Sequence, residues 1–398
     1  MVGLTLALML AREPRCRIAV VERYELIQAQ TPLTSSFDAR STALAQGTVQ
    51  LYQDLGVWQE LANLAEPINK IHISQQGCFG ATRLNATEQN QRYLGVVIEN
   101  RLLGRSLANA VFECDNVSII SGAEVGAVNA GSTAQQPVQM TVVQQGEERR
   151  LEAALLVAAD GADSALRHLF CLDAIVQNYG QMAVIANIKP SQLHQGVAYE
   201  RFTDAGPMAM LPMTDNRFAL VWSLPHEQAK KMLECEDKEF LGQLQSSFGY
   251  RAGALISVGV RTAYPLRLIS ASQQVSHRFV LLGNAAHSLH PVAGQGFNLC
   301  ARDCIELANS ILAAYRQGED LGDIAMLQAY QQARSSDQQR VIQFSDKLVK
   351  LFSNEQPLLK LGRTVGLLSM EFMDTTKMLF AQQAMGQTSR LQQGSKYG

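Results

Sequence analysis

The chain opens on a helix followed by a strand, and that order restricts its fold more than any other feature. Gly3 leads into an apolar run over residues 4–11 that suits a buried helix. After Pro14, the segment Arg17-Ile-Ala-Val-Val-Glu22 reads as a buried strand ending in an acid. A buried helix feeding a buried strand is the second half of a βαβ unit, and it commits the chain to a parallel sheet covered by helices. Glu22 stands 19 residues after Gly3. In dinucleotide-binding units an acid about 20 residues past the glycine turn hydrogen-bonds the adenosine ribose. A charged strand end facing water has the same pattern.

Two later strand ends carry similar chemistry. Residues 155–159 form a short apolar strand that ends at Asp160-Gly161 and continues as Ala162-Asp163-Ser164-Ala165-Leu166-Arg167. An acid at the carboxyl end of a parallel strand sits in the crevice where α/β sheets bind ligands. Gly161 permits a positive φ or a close backbone approach, and Ser164 suits a helix N-cap with Arg167 in the first turn. A bland strand–turn–helix junction also uses Asp-Gly. Further on, Phe279-Val-Leu-Leu282 ends at Gly283-Asn284, with Asn284 placed to bond a hydroxyl. A loop with Pro291, Gly294 and Gly296 then leads into a helix expected from about Phe297. The start of such a helix offers unpaired N–H groups and partial positive charge, suited to a negatively charged cofactor. His287 and His290 flank this loop without a third ligand at fitting spacing. Cys300 and Cys304 share a helix face without a His or carboxylate set. No metal is expected.

At 398 residues the chain is long enough for two or three domains. Segments 1–70, 98–175 and 272–325 read as α/β. They are interrupted by strand-rich stretches at 71–97 and 176–271 and followed by a helical region, 326–398. The expected fold is α/β: a discontinuous Rossmann-like nucleotide-binding domain, an inserted mixed β-sheet domain for substrate, and a helical C-terminus. A net charge of -2 gives no basic footprint for nucleic acid. Seven cysteines without a C-x-x-C fit a reducing compartment. With no signal-peptide pattern and no run of about 18 apolar residues, a cytoplasmic location is expected. The strand-like run Met208, Met210, Leu211 and Met213 suits either a sheet core or a pocket wall. The stripe Val341, Phe344, Leu348, Leu351, Phe352, Leu358, Leu359 and Leu361 suits core or dimer contacts, or a membrane or partner surface.

Together these pieces resemble the single-component FAD-dependent aromatic hydroxylases, the family of para-hydroxybenzoate hydroxylase. Asp160-Gly161 through Arg167 matches the family's D-G motif. Gly283-Asn284-Ala285-Ala286-His287 matches its G-D motif with Asn in place of Asp, and Gly294-Gln295-Gly296-Phe297-Asn298 through Asp303 matches its flavin loop. Phe37-Asp38-Ala39-Arg40 with Ala43-Leu44 is similar to an early FAD-contacting arginine motif, and Asn100-Arg101 to another flavin-contacting position. Within the family, residues 200–225 and 261–268 are most similar to the ubiquinone-biosynthesis hydroxylases of 2-octaprenyl-6-methoxyphenol type. The resemblance implies FAD held by Gly3, Glu22, Arg40, Asn100, Asp160, Gly161, Arg167, Gly283, Asn284, Gly296, Phe297 and Asn298. It implies a catalytic backbone around the flavin ring at Pro291, Gly294, Gln295 and Gly296. It also implies NAD(P)H bound transiently in a groove, and O2 activated as a flavin C4a-hydroperoxide that hydroxylates a polyprenylated phenol. Other ubiquinone-biosynthesis proteins, and peripheral contact at the inner face of the membrane, are the implied partners. A flavin reductase, a halogenase and a flavin-poor scaffold subunit are the competing readings; no lysine motif supports the halogenase. At Asn284 a neutral amide accepts a ribityl hydroxyl bond without charge assistance. The family's first turn runs G-x-G-x-x-G, and Met1-Val2-Gly3 stands at its last three positions. The expectation is an upstream start that supplies the first strand and first two glycines.

Overall fold

The computed structural model describes residues 1–26, 40–77, 81–131 and 136–352. Phe37, Asp38, Ala39, Cys78, Leu358, Leu359 and Leu361 lie outside the described residues. The opening helix, Val2–Ala11, buries Leu4, Thr5, Leu6, Ala7, Leu8 and Leu10. A helix apolar on every side must be enclosed on every side. Leu4, Ala7 and Leu8 pack with Leu44, Tyr52, Leu103 and Leu107, while Leu6 and Leu10 pack with Val280, Leu282, Leu307 and Ile311.

The strand after it, Ile18–Glu22, pairs in parallel with Val117–Ser121, Ile18 opposite Val117 and Glu22 opposite Ser121. A second parallel pair joins Leu156–Ala158 to Phe279–Leu281, and Val275–Ser276 adds an antiparallel strand to it. Among the described residues no strand pairing links these two parallel pairs. Both nevertheless flank the opening helix. Ile18, Leu155 and Val157 pack against the same apolar cluster, and residues 18–22 and 155–157 line the same cavity.

Strands from both expected insertions meet in one nine-stranded sheet. Its hydrogen-bonded order is His287–Ser288, Thr262–Ala271, Ala174–Pro190, Arg217–Pro225, Gly206–Met213, Val197–Thr203, Lys70–Gln75 and Ala81–Asn85, with Leu255–Val258 also on Ala174–Pro190. All pairs are antiparallel except Val197–Thr203 against Lys70–Gln75. Strand alternation gives the sheet two different faces. Val184, Ala186, Met208, Met210 and Trp222 pack under the helices His226–Glu234 and Asp237–Phe248, through Met232, Phe240 and Leu244. Ala183, Ile185, Ala209, Leu211 and Val221 face the cavity. The methionine-rich run is therefore core on one face and pocket wall on the other. Two long helices, Gln295–Gln317 and Ile324–Phe352, complete the described chain; the first begins two residues ahead of the expected start at Phe297.

Phe279 is fully buried and stacked on Phe170, ring centroids 3.7 Å apart, in the strand that the parallel pairing shares. Phe279→Ala is expected to lower stability by about 3–5 kcal/mol. Urea unfolding of the two proteins checks this.

Candidate functional site

A cavity of about 1980 Å³ runs between the opening helix, the carboxyl ends of the strands at 22 and 158, the 283–294 loop and one face of the large sheet. Single-ligand pockets are commonly about 300–1,000 Å³; part of this larger space is the slot between strands Ile18–Glu22 and Leu156–Ala158. Gly3, Glu22, Arg40, Asn100, Asp160, Gly161, Asn284, Pro291, Gly294, Gly296, Phe297 and Asn298 all line it. Arg167, Gly283 and Gln295 do not.

The reasons lie in local geometry. Ser164 caps its helix as expected, its hydroxyl accepting from the Arg167 backbone N–H at 2.9 Å. That turn aims the Arg167 guanidinium into protein: Nη1 donates to the Ala285 carbonyl at 2.8 Å and Nη2 to Ala162 at 3.0 Å. Arg167 thus clasps the Asp160-Gly161 turn to the loop after Gly283. Gly283 has φ +66°, and a Cβ there would stand 3.0 Å from Val2 Cγ1, so it serves the close approach of the loop to the opening helix. Gln295 is buried at the first turn of its helix.

Other residues line the cavity while also bracing its walls. Asn298 uses its whole side chain. Oδ1 accepts from Ala45 N–H and the Thr48 hydroxyl, both at 2.8 Å, and Nδ2 donates to the Ala43 and Gly294 carbonyls at 2.9 Å. Asn100 accepts from the Thr42 hydroxyl, and its N–H donates to the Arg40 carbonyl. The Arg40 guanidinium lies 4.6 Å from the centre of the Tyr264 ring. Thr42, Thr48 and Tyr264 carry no local sequence signal; only the folded contacts reveal them.

Behind the loop lies a buried ion network that the sequence did not announce. His287 Nε2 donates to Asp303 Oδ2 at 2.6 Å; a carboxylate only accepts, so this nitrogen carries the hydrogen. Asp303 Oδ1 accepts from Arg334 Nε at 2.6 Å and from Gln338 at 3.1 Å. Asp337 accepts from Arg302 at 2.8 Å and Arg334 at 2.6 Å. Burial pushes the Asp303 carboxyl up, but His287 and Arg334 outweigh it and hold it below the usual carboxylate range. Asp337 is held down in the same way by Arg302 and Arg334. Nearby, burial lowers the His290 ring to about 4, which leaves a neutral imidazole edge-on to Tyr179 at 5.3 Å.

The cavity walls have the chemistry a dinucleotide needs. The opening helix begins without a side-chain cap or an acid in its first turn, leaving N–H groups for a phosphate. Gly3 adds no side chain there; an added Cβ would meet only Ala159, at 3.5 Å. Glu22 and Asp160 supply carboxylates at strand ends, and Asn284 an amide. Parallel strands with polar residues at their carboxyl ends, beside a large mixed sheet, are an arrangement suited to a dinucleotide cofactor, and matches to known proteins make the chain one of the FAD-dependent aromatic monooxygenases. The fold agrees with solved relatives. The Pseudomonas aeruginosa PqsL, a probable FAD-dependent monooxygenase, superposes with TM-score 0.75 at 19% identity over 92% of this chain and 96% of that one. The p-nitrophenol 4-monooxygenase PnpA of Pseudomonas putida superposes with TM-score 0.77 at 15% identity, covering 96% and 95%. The sequence pattern of the FAD binding domain family matches residues 1–345, and the chain belongs to that family. It is 32% identical to the ubiquinone hydroxylase UbiL of Rhodospirillum rubrum over 386 residues, 97% of this chain and 87% of that protein. It is 26% identical to the human mitochondrial ubiquinone biosynthesis monooxygenase COQ6 over 374 residues, covering 84% and 79%.

Asn298→Ala removes the partner of two donors and two carbonyls, and is expected to cost about 3 kcal/mol of stability in thermal denaturation. The depressed carboxyls also set an acid limit. Their stabilisation is complete above the unfolded value of about 3.9 and drains away as pH falls through the lower folded values. The stability gap between the native protein and Asp303→Asn should therefore narrow as pH drops below about 4, as read by urea unfolding at stepped pH.

Proposed function

We propose that the chain hydroxylates the ring of a polyprenylated phenol in ubiquinone biosynthesis, with FAD as cofactor, NAD(P)H as reductant and O2 as oxygen donor. The observation that carries this reading is the continuity of the cavity. One part is walled by Gly3, Glu22, Asp160 and Asn284; another is walled by Ile71, Ile73, Phe202 and Leu211 of the sheet and by Phe344 and Leu348 of the 324–352 helix. A polar dinucleotide and an apolar tail fit one connected space. The names of UbiL and COQ6 support the same assignment.

When bound, FAD supplies the activation of oxygen that no side chain can supply. The chain's own residues bind, orient and exclude water. Glu22 and Asp160 would accept hydroxyl groups of the cofactor, Asn284 a ribityl hydroxyl, and the backbone of Pro291, Gly294 and Gly296 would flank the flavin ring. The apolar sheet face keeps the reacting ring dry. Within the pathway, the notable likeness of residues 200–225 and 261–268 favours 2-octaprenyl-6-methoxyphenol, the substrate of UbiH; the alternative is a sibling enzyme acting at another ring position. The protein would work in the cytoplasm, peripherally at the inner face of the membrane and beside other enzymes of the pathway. No helix among the described residues is long and apolar enough to cross a membrane. The alternative reading is a flavin-poor scaffold subunit of a ubiquinone-biosynthesis complex.

Visible absorbance of the purified protein, before and after titration with FAD, separates the two readings. A folded protein that takes up no flavin is the scaffold. A flavoprotein that consumes NAD(P)H and O2 without hydroxylating the prenylated phenol is not the proposed enzyme. Leu348→Gln, at the apolar wall, is expected to raise KM for a long-tailed phenol about tenfold while leaving a tail-less phenol nearly unchanged, in steady-state assays.

A further inference from the structure

The 283–294 loop has few bonds of its own. His287–Ser288 makes a two-residue pairing with Ile269–Ser270, and the Ala286 carbonyl accepts from Ala271. Arg167 holds Ala285. The side chain of His287 is fully buried and reaches back to Asp303 on the 295–317 helix, 2.6 Å away. Asp303 is held in turn by Arg334 on the 324–352 helix, also at 2.6 Å. Three separate segments therefore meet at one carboxylate. The charges balance only as a set: Asp303 and Asp337 against Arg302 and Arg334, with every side chain buried. A buried carboxylate that loses one partner is left uncompensated and must move, take up a proton or draw in water.

We propose that Arg334 is a positioning residue for the loop that carries Pro291 and Gly294: acting through Asp303 and His287, it fixes that loop against the cofactor cavity. Arg334 does not line the cavity itself. The same helix holds the loop at a second point, where the Ser345 hydroxyl donates to the His290 carbonyl at 3.4 Å. It also presents Phe344 and Leu348 to the apolar part of the cavity. One helix therefore braces the loop and walls the space for the second ligand.

Hydrogen exchange of the loop amides tests the proposal in the native protein, in Arg334→Lys and in Asp303→Asn, with Arg340→Gln as control. Arg340 is the exposed arm of the network, 3.9 Å from Asp337. Arg334→Lys keeps the charge but loses the two-pronged geometry. Exchange over residues 283–294 is expected to rise about tenfold in both Arg334→Lys and Asp303→Asn, with strand Arg217–Pro225 unchanged and Arg340→Gln like the native protein. The FAD dissociation constant is expected to rise about tenfold in step. A uniform rise along the whole chain, or an unchanged loop, overturns the proposal and leaves the network a plain stabiliser. The affinity arm rests on the FAD-dependent reading, whereas the exchange arm does not: a native protein that binds no FAD sinks that reading alone. Should Arg334→Lys fail to fold, Asp303→Asn decides.

Discussion

The opening helix is apolar around its whole circumference, and the arrangement of the chain follows from the need to enclose it. Leu4, Ala7 and Leu8 require one apolar partner surface, and Leu6 and Leu10 another. The first comes from residues 44–111 and the second from residues 275–330, so segments far apart in the sequence close on one helix. That closure brings Gly283 against Val2, and it places the start of the 295–317 helix beside residues 43–48. The cavity is the space left over when these surfaces meet.

Much of this was legible in the sequence because it is local. Apolar runs ending in Glu22, Asp160 or Gly283 announce strands with ligand chemistry at their carboxyl ends, and the pairings Ile18–Val117 and Leu156–Phe279 are parallel as a helix–strand order requires. Ser164 caps its helix at the expected place. What the sequence concealed is long-range. Nothing near Arg334 says that it answers Asp303, 31 residues away and on another helix. Arg167 shows the opposite case: its type suits a phosphate, but its position three residues past the cap turns it onto Ala162 and Ala285. The methionine run was ambiguous because period-two alternation assigns neighbours to opposite faces: Met208 and Met210 pack under the helices, while Ala209 and Leu211 wall the cavity.

Polar and apolar requirements are divided between the two layers. The helix-covered parallel strands present carboxylates and glycines, while the large sheet presents Ala, Ile, Leu and Val. The 283–294 loop runs between them, held from behind by charges that are satisfied only within the protein. Such a network adds little net stability over a well-packed apolar core, yet it tolerates few alternative geometries. Its value lies in fixing where the loop sits.

The two parallel strand pairs also leave backbone edges at Ile18–Glu22 and Leu156–Ala158 that bond to no described strand, within an apolar setting. Backbone N–H and C=O groups away from water require partners. Whatever fills that cleft must therefore satisfy a row of main-chain groups as well as match the apolar walls around them.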